Sequence, residues 1–335
     1  METETIESAG LKPEPSPTIV EGAKPSTLSG VARLDYYLAW VVVVMPILAF
    51  ILAVTLWVMG MPPSVLDISI LVVMYFLTLT GIEVGFHRLF THRSFKANRG
   101  LKRALAILGS MAFEGPVIWW AGTHRVHHRF SDKEGDPHSP HLHEPGLLNT
   151  VGGFFHAHMG WLFKAQSTRS EGWGSYVPDL YRDKDIFRIH IQYFYWLALG
   201  FVIPAVIGGI VTWSWKGTLM ALLWGGFVRV FLVNHVFFWC INSVTHTMGT
   251  RPFNSKDLST NNIWLAIPTL GQSWHNNHHA FPYSAYMSMH WWQIDIGGMV
   301  LKVFEKLGWA WDLKQPTPEQ IQEKLKDSKA KVSII

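Results

Sequence analysis

Cysteine occurs once in 335 residues, at Cys240. A lone thiol excludes an intramolecular disulfide, an iron–sulfur cluster and any cysteine-based zinc site. Charge is also scarce, with Asp, Glu, Lys and Arg making up 16% of the chain. Residues 1–32 lack the apolar run of a secretory signal. Their Pro, Ser, Thr and Glu read instead as a disordered cytoplasmic tail. No haem-binding module or flavin fingerprint is present, and nothing calls for a nucleic-acid partner.

What remains is apolar. Hydrophobic residues make up 49% of the chain, and there are 17 tryptophans, the residue that anchors at membrane–water interfaces. Four stretches approach the roughly 20 residues needed to cross a bilayer. They run from about Tyr36 to Met59, Leu66 to Phe86, Ile191 to Thr212 and Leu219 to Ile241. Short turns join them into two hairpins. The first turn has no Lys or Arg and the second only Lys216, whereas the segment from Arg88 to His190 holds half of all Lys and Arg. The positive-inside rule then puts both termini and the long loop in the cytoplasm. The expected fold is an all-α, multi-pass integral membrane protein with four transmembrane helices and a cytoplasmic helical cap. A disordered tail is expected at 1–32, a membrane domain at 33–315 and a charged, solvated tail at 316–335. That last tail carries a short helix from Pro318 capped by Thr317. Residues 132–185 read as loop, and the apolar runs Ala104–Trp120 and Ile263–Trp274 as interfacial or re-entrant.

Nine histidines flank these spans: His87 and His92 in HRLFTH, His124, His127 and His128 in HRVHH, His246 in NSVTH, and His275, His278 and His279 in HNNHH. All fall on the cytoplasmic side of the expected topology. The two halves share a plan in which a hairpin ends in a His-bearing segment and about thirty residues later comes HxxHH. On a helix, positions i, i+3 and i+4 share one face, so each HxxHH presents three imidazoles together. His87 and His92, five apart, cannot point the same way from a regular α-helix. Either the helix ends near Arg88 or the pair grips the site from two sides. A lone His is more often a core or surface residue than a ligand, but two HxxHH by chance are improbable at this His frequency. Nine imidazoles exceed what one ion can hold, so two ions are implied. With no Cys set and no evident bridging carboxylate, the donors favour redox-active iron over a hydrolytic pair.

The set HRLFTH, HRVHH followed by Asp136-Pro137-His138, NSVTH, and HNNHH-AFPY resembles the membrane fatty-acid desaturases of the Δ9 acyl-CoA and acyl-lipid type, over about residues 33–310. The resemblance implies two irons held by the nine histidines, with Asn242 contributing through a water. It implies oxygen-dependent insertion of a cis double bond into a saturated acyl chain, most often at C9–C10, with O2 as co-substrate. The electrons then come from a separate donor of ferredoxin or cytochrome b5 type. His275 stands where front-end desaturases commonly have Gln. The soluble desaturases use Glu-x-x-His on a bundle, which is absent here. Animal acyl-CoA desaturases carry Arg-Asp just before the second box, where this chain has Gly122 and Thr123. That departure leaves the carrier open between CoA and lipid. Arg125, Arg129 and Lys164 are candidates to hold headgroup phosphate.

Tyr75, Phe76, Trp119, Trp120 and Trp274 are candidates to line an acyl tunnel, with Tyr75 or Phe76 closing its end. Arg229 and His235, at bilayer depth, are expected to face the protein interior. A related di-iron hydroxylase or terminal-alkene-forming enzyme is the main alternative, and a metal transporter the remote one.

Overall fold

The computed structural model describes residues 30–142, 146–164 and 173–325. The expected tail over 1–32 lies outside these apart from its last three positions. In chain order the helices are α1 (Gly30–Val58), α2 (Val65–Thr91), α3 (Arg99–Ser110), α4 (Val117–Phe130), α5 (Leu147–His158), α6 (Pro178–Arg182), α7 (Lys184–Ile191), α8 (Tyr193–Thr212), α9 (Trp215–His246), α10 (His275–Ala280), α11 (Ile296–Lys306) and α12 (Pro318–Lys324). The strands among the described residues are β1 (Lys96–Ala97) and β2 (Ala310–Trp311), paired antiparallel. Four helices, α1, α2, α8 and α9, are long and apolar enough to cross a membrane. They form the two expected hairpins. Their outward faces carry bare aliphatic side chains such as Leu48, Ile51, Val72 and Val202, the surface a bilayer covers.

The second helix of each hairpin outruns its apolar stretch. Helix α2 begins at a capping box, in which Ser64 Oγ accepts from the Asp67 N–H and Asp67 accepts from the Ser64 N–H. At Gly81 it widens into π-helical turns that continue to Thr91. Helix α9 contains two π-helical stretches, Leu222–Val228 and Leu232–Phe238. Both helices thus carry their polar ends beyond the membrane-spanning part. Because each is the return helix of a hairpin, both ends emerge on one side.

Two corrections to the sequence reading follow. Residues 132–185 are not all loop, since α5, α6 and the start of α7 lie there. In α5 the glycines mask an amphipathic helix whose Leu147 and Leu148 are more than 80% exposed, a face suited to a membrane interface. The C-terminal helix α12 forms with Thr317 as its cap, but its end is docked. Leu325 is buried beside Phe253, Ala280 and Phe281, and the Lys324 ammonium donates to the Ala280 carbonyl. Burying Leu325 and capping the last turn of α10 outweighs solvation of one lysine.

Arg229 is fully buried within α9, as the interior expectation required. Its guanidinium donates to the carbonyls of Met111 (2.8 Å) and Gly200 (3.1 Å), tying α3 to α8. Helices α2 and α3 touch at bare backbone: a Cβ at Gly81 would stand 2.1 Å from the Gly109 nitrogen. Backbone cannot yield as a side chain can. Gly81→Ala is therefore expected to lower stability by about 1–3 kcal/mol or more, read as a fall in Tm of the detergent-purified protein. An unchanged Tm would contradict this packing.

Candidate metal centre

The π-helical end of α2 solves the spacing of the first box. The His92 N–H bonds the His87 carbonyl, five residues back, at 3.1 Å. Widening the turn in this way brings residues five apart onto one face, and the two rings meet edge to face at 4.8 Å. π-Helical turns of this kind often mark functional sites.

The nine histidines converge as two groups. One is His87, His92, His124, His128 and His278, and the other is His127, His246, His275 and His279. The HxxHH helices α4 and α10 each serve both. The i, i+4 pair His124/His128 joins one group while His127 turns to the other. On α10, His275 and His279 join the second group while His278 turns to the first. The expectation of three rings on one shared face is thereby refined: the face divides between two centres.

Ring nitrogens face one another at close range. Nε2 of His87 stands 3.1 Å from Nε2 of His278, which stands 2.9 Å from that of His128, itself 3.1 Å from that of His124. In the second group, His246 and His275 are 3.1 Å apart and His275 and His279 3.0 Å. The opposite nitrogens fix the tautomers. Nδ1–H of His87 donates to Glu83 (3.2 Å), of His127 to Asp136 (3.0 Å), of His246 to Asp132 (2.9 Å) and of His279 to Asp257 (2.7 Å). Each Nε2 then presents a lone pair, and lone pairs converging in a buried space repel unless a cation lies among them. Imidazole nitrogens about 2.1 Å from a common ion and at right angles would stand about 3 Å apart, which the observed spacing matches. The donor set therefore fits two metal ions.

Electrostatics agree. Burial holds His92, His124, His128, His275 and His278 well below the ordinary histidine range, and His279 at about 4. A ligand must be neutral, so these rings are ready to bind. Burial alone would raise the Asp136 carboxyl, but the His127 imidazole beside it holds it at about 2. Asp132 and Asp257 are likewise kept ionised, against burial, by His246 and His279. Glu83 also accepts from Arg88 (2.7 Å), which reaches Asp295 (2.7 Å). Asp295 in turn caps α11 through the Gly298 N–H. A buried charge chain thus locks the first box to the C-terminal region.

Sequence reasoning missed these four carboxylates. Only Asp136, two residues before His138, carried a signal. It also missed the asparagines inside the third box. Asn261 Oδ1 accepts from the backbone N–H groups of Asn276 and Asn277, and Asn277 donates to Met287 and Gln293. This network sets the pitch of α10. His138 stacks on His127 at 4.4 Å and does not join the nitrogen clusters of the first two groups.

A cavity of about 480 Å³ opens beside the first group. Trp119, Trp120, His124, Trp173, Phe238, Trp239 and Asn242 are among its walls. Trp120 lies over the His124 ring at 5.0 Å. Of the expected tunnel residues, Tyr75, Phe76 and Trp274 are not in its lining. Tyr75 donates to the Pro268 carbonyl, Phe76 is 40% exposed on the outer face of α2, and the Trp274 indole donates to Ile294 (2.9 Å). The α2 face that packs inward is the one bearing Met74 and Thr78. Arg125 is also otherwise engaged, held by Asp179 and the carbonyls of Phe90, Thr91 and Tyr176.

Comparison with known proteins agrees with this geometry. The fatty acid desaturase family model matches residues 62–310. A hex-5-enoyl-[acyl-carrier protein] acetylenase from Moorena producens is 47% identical over 265 residues, covering 78% of this chain and 81% of its own. An acyl-CoA C20 Delta5-desaturase from Anemone leveillei is 38% identical, covering 71% and 70%. An sn-1 stearoyl-lipid 9-desaturase from Anabaena variabilis is 36% identical, covering 72% and 80%.

Removing one carboxylate should loosen one centre only. Asp257→Asn is expected to weaken metal retention at the second group by about 10–100-fold, measured as metal per chain during chelator titration. Retention equal to wild type would show that Asp257 does not support the site.

Proposed function

This chain belongs to the fatty acid desaturase family, and we propose that it inserts a cis double bond at C9–C10 of a saturated acyl chain using two irons and O2. The observation that carries this reading is the junction of two imidazole cages with an aromatic, mainly apolar cavity at Trp120, His124 and Asn242. In this reading His87, His92, His124, His128 and His278 hold one iron. His127, His246, His275 and His279 would hold the other, with Asn242 contributing through a water. The irons, once bound, supply with O2 the oxidising power to break unactivated C–H bonds, which no side chain has.

The protein's own work is positioning. The cavity walls hold two adjacent methylenes against the first cage and keep bulk water out. The four carboxylates hold the Nδ1 protons, so the ligating nitrogens keep their lone pairs and orientation. Overall, two hydrogens leave the chain, and with two external electrons and two protons they reduce O2 to two waters. The electrons come from a separate ferredoxin or cytochrome b5 type donor. Both termini and the metal cages face the cytoplasm, in keeping with the basic residues of the connecting segments. The 33–315 segment acts as the desaturase domain, and 316–325 braces its third box.

The acyl carrier is CoA or a membrane lipid. Gly122 supports the lipid: a Cβ there would meet the Trp173 ring at 2.7 Å, so this position cannot bear the arginine of the animal CoA enzymes. The acetylenase likeness favours a second reading, in which an already unsaturated chain on acyl-carrier protein is oxidised to an alkyne. Hydroxylation or terminal-alkene formation would use the same cages. A transporter would string its ligands along the spans, whereas these sit at one end.

Expression with labelled palmitate and stearate, followed by double-bond mapping, tests the proposal. Monounsaturated C16 or C18 products at C9, lost in His127→Ala, are expected. Hydroxy acids, terminal alkenes or no product would overturn it. Product chain length should be unaltered in Phe76→Ala, which removes an outward-facing ring, and a shifted profile would place the tunnel end on α2.

A further inference from the structure

Glu114 is an acid in an apolar wall. It lies in the turn before α4, between Phe113 (φ 70°) and Gly115 (φ 94°), and lines the cavity beside Trp119, Trp239 and Tyr193. The surface it keeps accessible opens on that cavity. Its Oε1 is buried and has no hydrogen-bond partner. The Trp239 side chain lies beside the carboxyl, and no cation offsets its charge. The nearby Tyr193 hydroxyl already accepts the Gly115 N–H at 3.3 Å. Arg229 is committed to three carbonyls. Burial pushes the carboxyl up to about 8, so it carries its proton at neutral pH.

An indole N–H can only donate, so the neighbouring Trp239 ring favours the carbonyl oxygen of the acid. With Oε1 enclosed, the proton sits on the other oxygen, the one open to the cavity. A buried donor facing plain methylenes goes unpaired, and an unpaired buried polar group is costly. We propose that Glu114 is a polar anchor in the acyl cavity, donating to an acceptor carried on the acyl chain itself: the π electrons of an existing multiple bond or an inserted oxygen. The inference rests on the reading that this cavity takes an acyl chain, and it names the class of chain preferred. A chain bearing an acceptor at the right carbon satisfies the acid, while a saturated chain leaves it unsatisfied.

The test compares the stearoyl chain with a positional series of C18 chains, each bearing one cis double bond or one ether oxygen. Binding to purified protein is followed by quenching of the cavity tryptophans, for wild type, Glu114→Leu and Glu114→Gln. For at least one position the acceptor chain should bind wild type about 3–10-fold tighter than stearoyl, the worth of one neutral hydrogen bond. The preference should vanish in Glu114→Leu and survive in Glu114→Gln, which keeps a donor. The infrared carbonyl band of the protonated acid should shift on binding that chain and be missing from both variants. Equal preference in wild type and Glu114→Leu, or no preference at any position, overturns the inference. Turnover of stearoyl by the iron-loaded wild type separates the two claims. If it occurs without a Glu114-dependent preference, only the anchor falls; if no acyl chain binds or reacts, the assigned function falls first.

Discussion

Lone pairs converging in a buried space are the constraint around which this molecule is arranged. Nitrogen atoms stand about 3 Å apart, and in His87, His246 and His279 a carboxylate holds the proton on the far side of the ring, so the near nitrogen is left as an acceptor and repels its neighbours. Such an assembly persists only if the body around it is stiff or if cations complete it. The fold supplies stiffness from several directions. Helix α2 contributes a π-helical end, α9 a helical run prolonged to His246, and the two short helices α4 and α10 contribute three rings each. Buried carboxylates anchor four of the nine rings, and the Glu83–Arg88–Asp295 chain ties the first box to α11. The same chain of contacts therefore serves stability and chemistry.

The membrane part and the metal part are joined by helix geometry. A helix that simply crossed the bilayer would end at its last apolar turn. Here both return helices run on, so polar ligands reach the interface while the apolar body stays in lipid. The cavity opens at this junction, with aromatic rings and the His124 imidazole among its walls. In the proposed function, a greasy chain in this cavity meets the first cage without passing through bulk water.

Much of this was legible in the sequence because hydrophobic runs and His spacing are local signals. The four spans, their pairing and the nine histidines follow from patterns only a few residues long. What the sequence hides is non-local or depends on phase. The π-helical turn that brings His87 and His92 together has the same composition as an α-helical one. Asp132 and Asp257 meet His246 and His279 only through the fold, over 114 and 22 residues. Phe76 lies between Met74 and Thr78 in sequence but on the opposite, outer face of α2, and Tyr75 is taken up by the Pro268 carbonyl. The docked end of α12 looked solvated because its charged residues outnumber the single buried Leu325. Glu114 is the reverse case: a carboxyl unremarkable in the sequence becomes an isolated acid only when Trp239 and the cavity close around it.

The most direct test of the two-cage account is metal content and X-ray absorption of protein purified without chelator. The account predicts two irons per chain, each with nitrogen and oxygen neighbours only. One iron or none per chain, or sulfur in the coordination sphere, would contradict it.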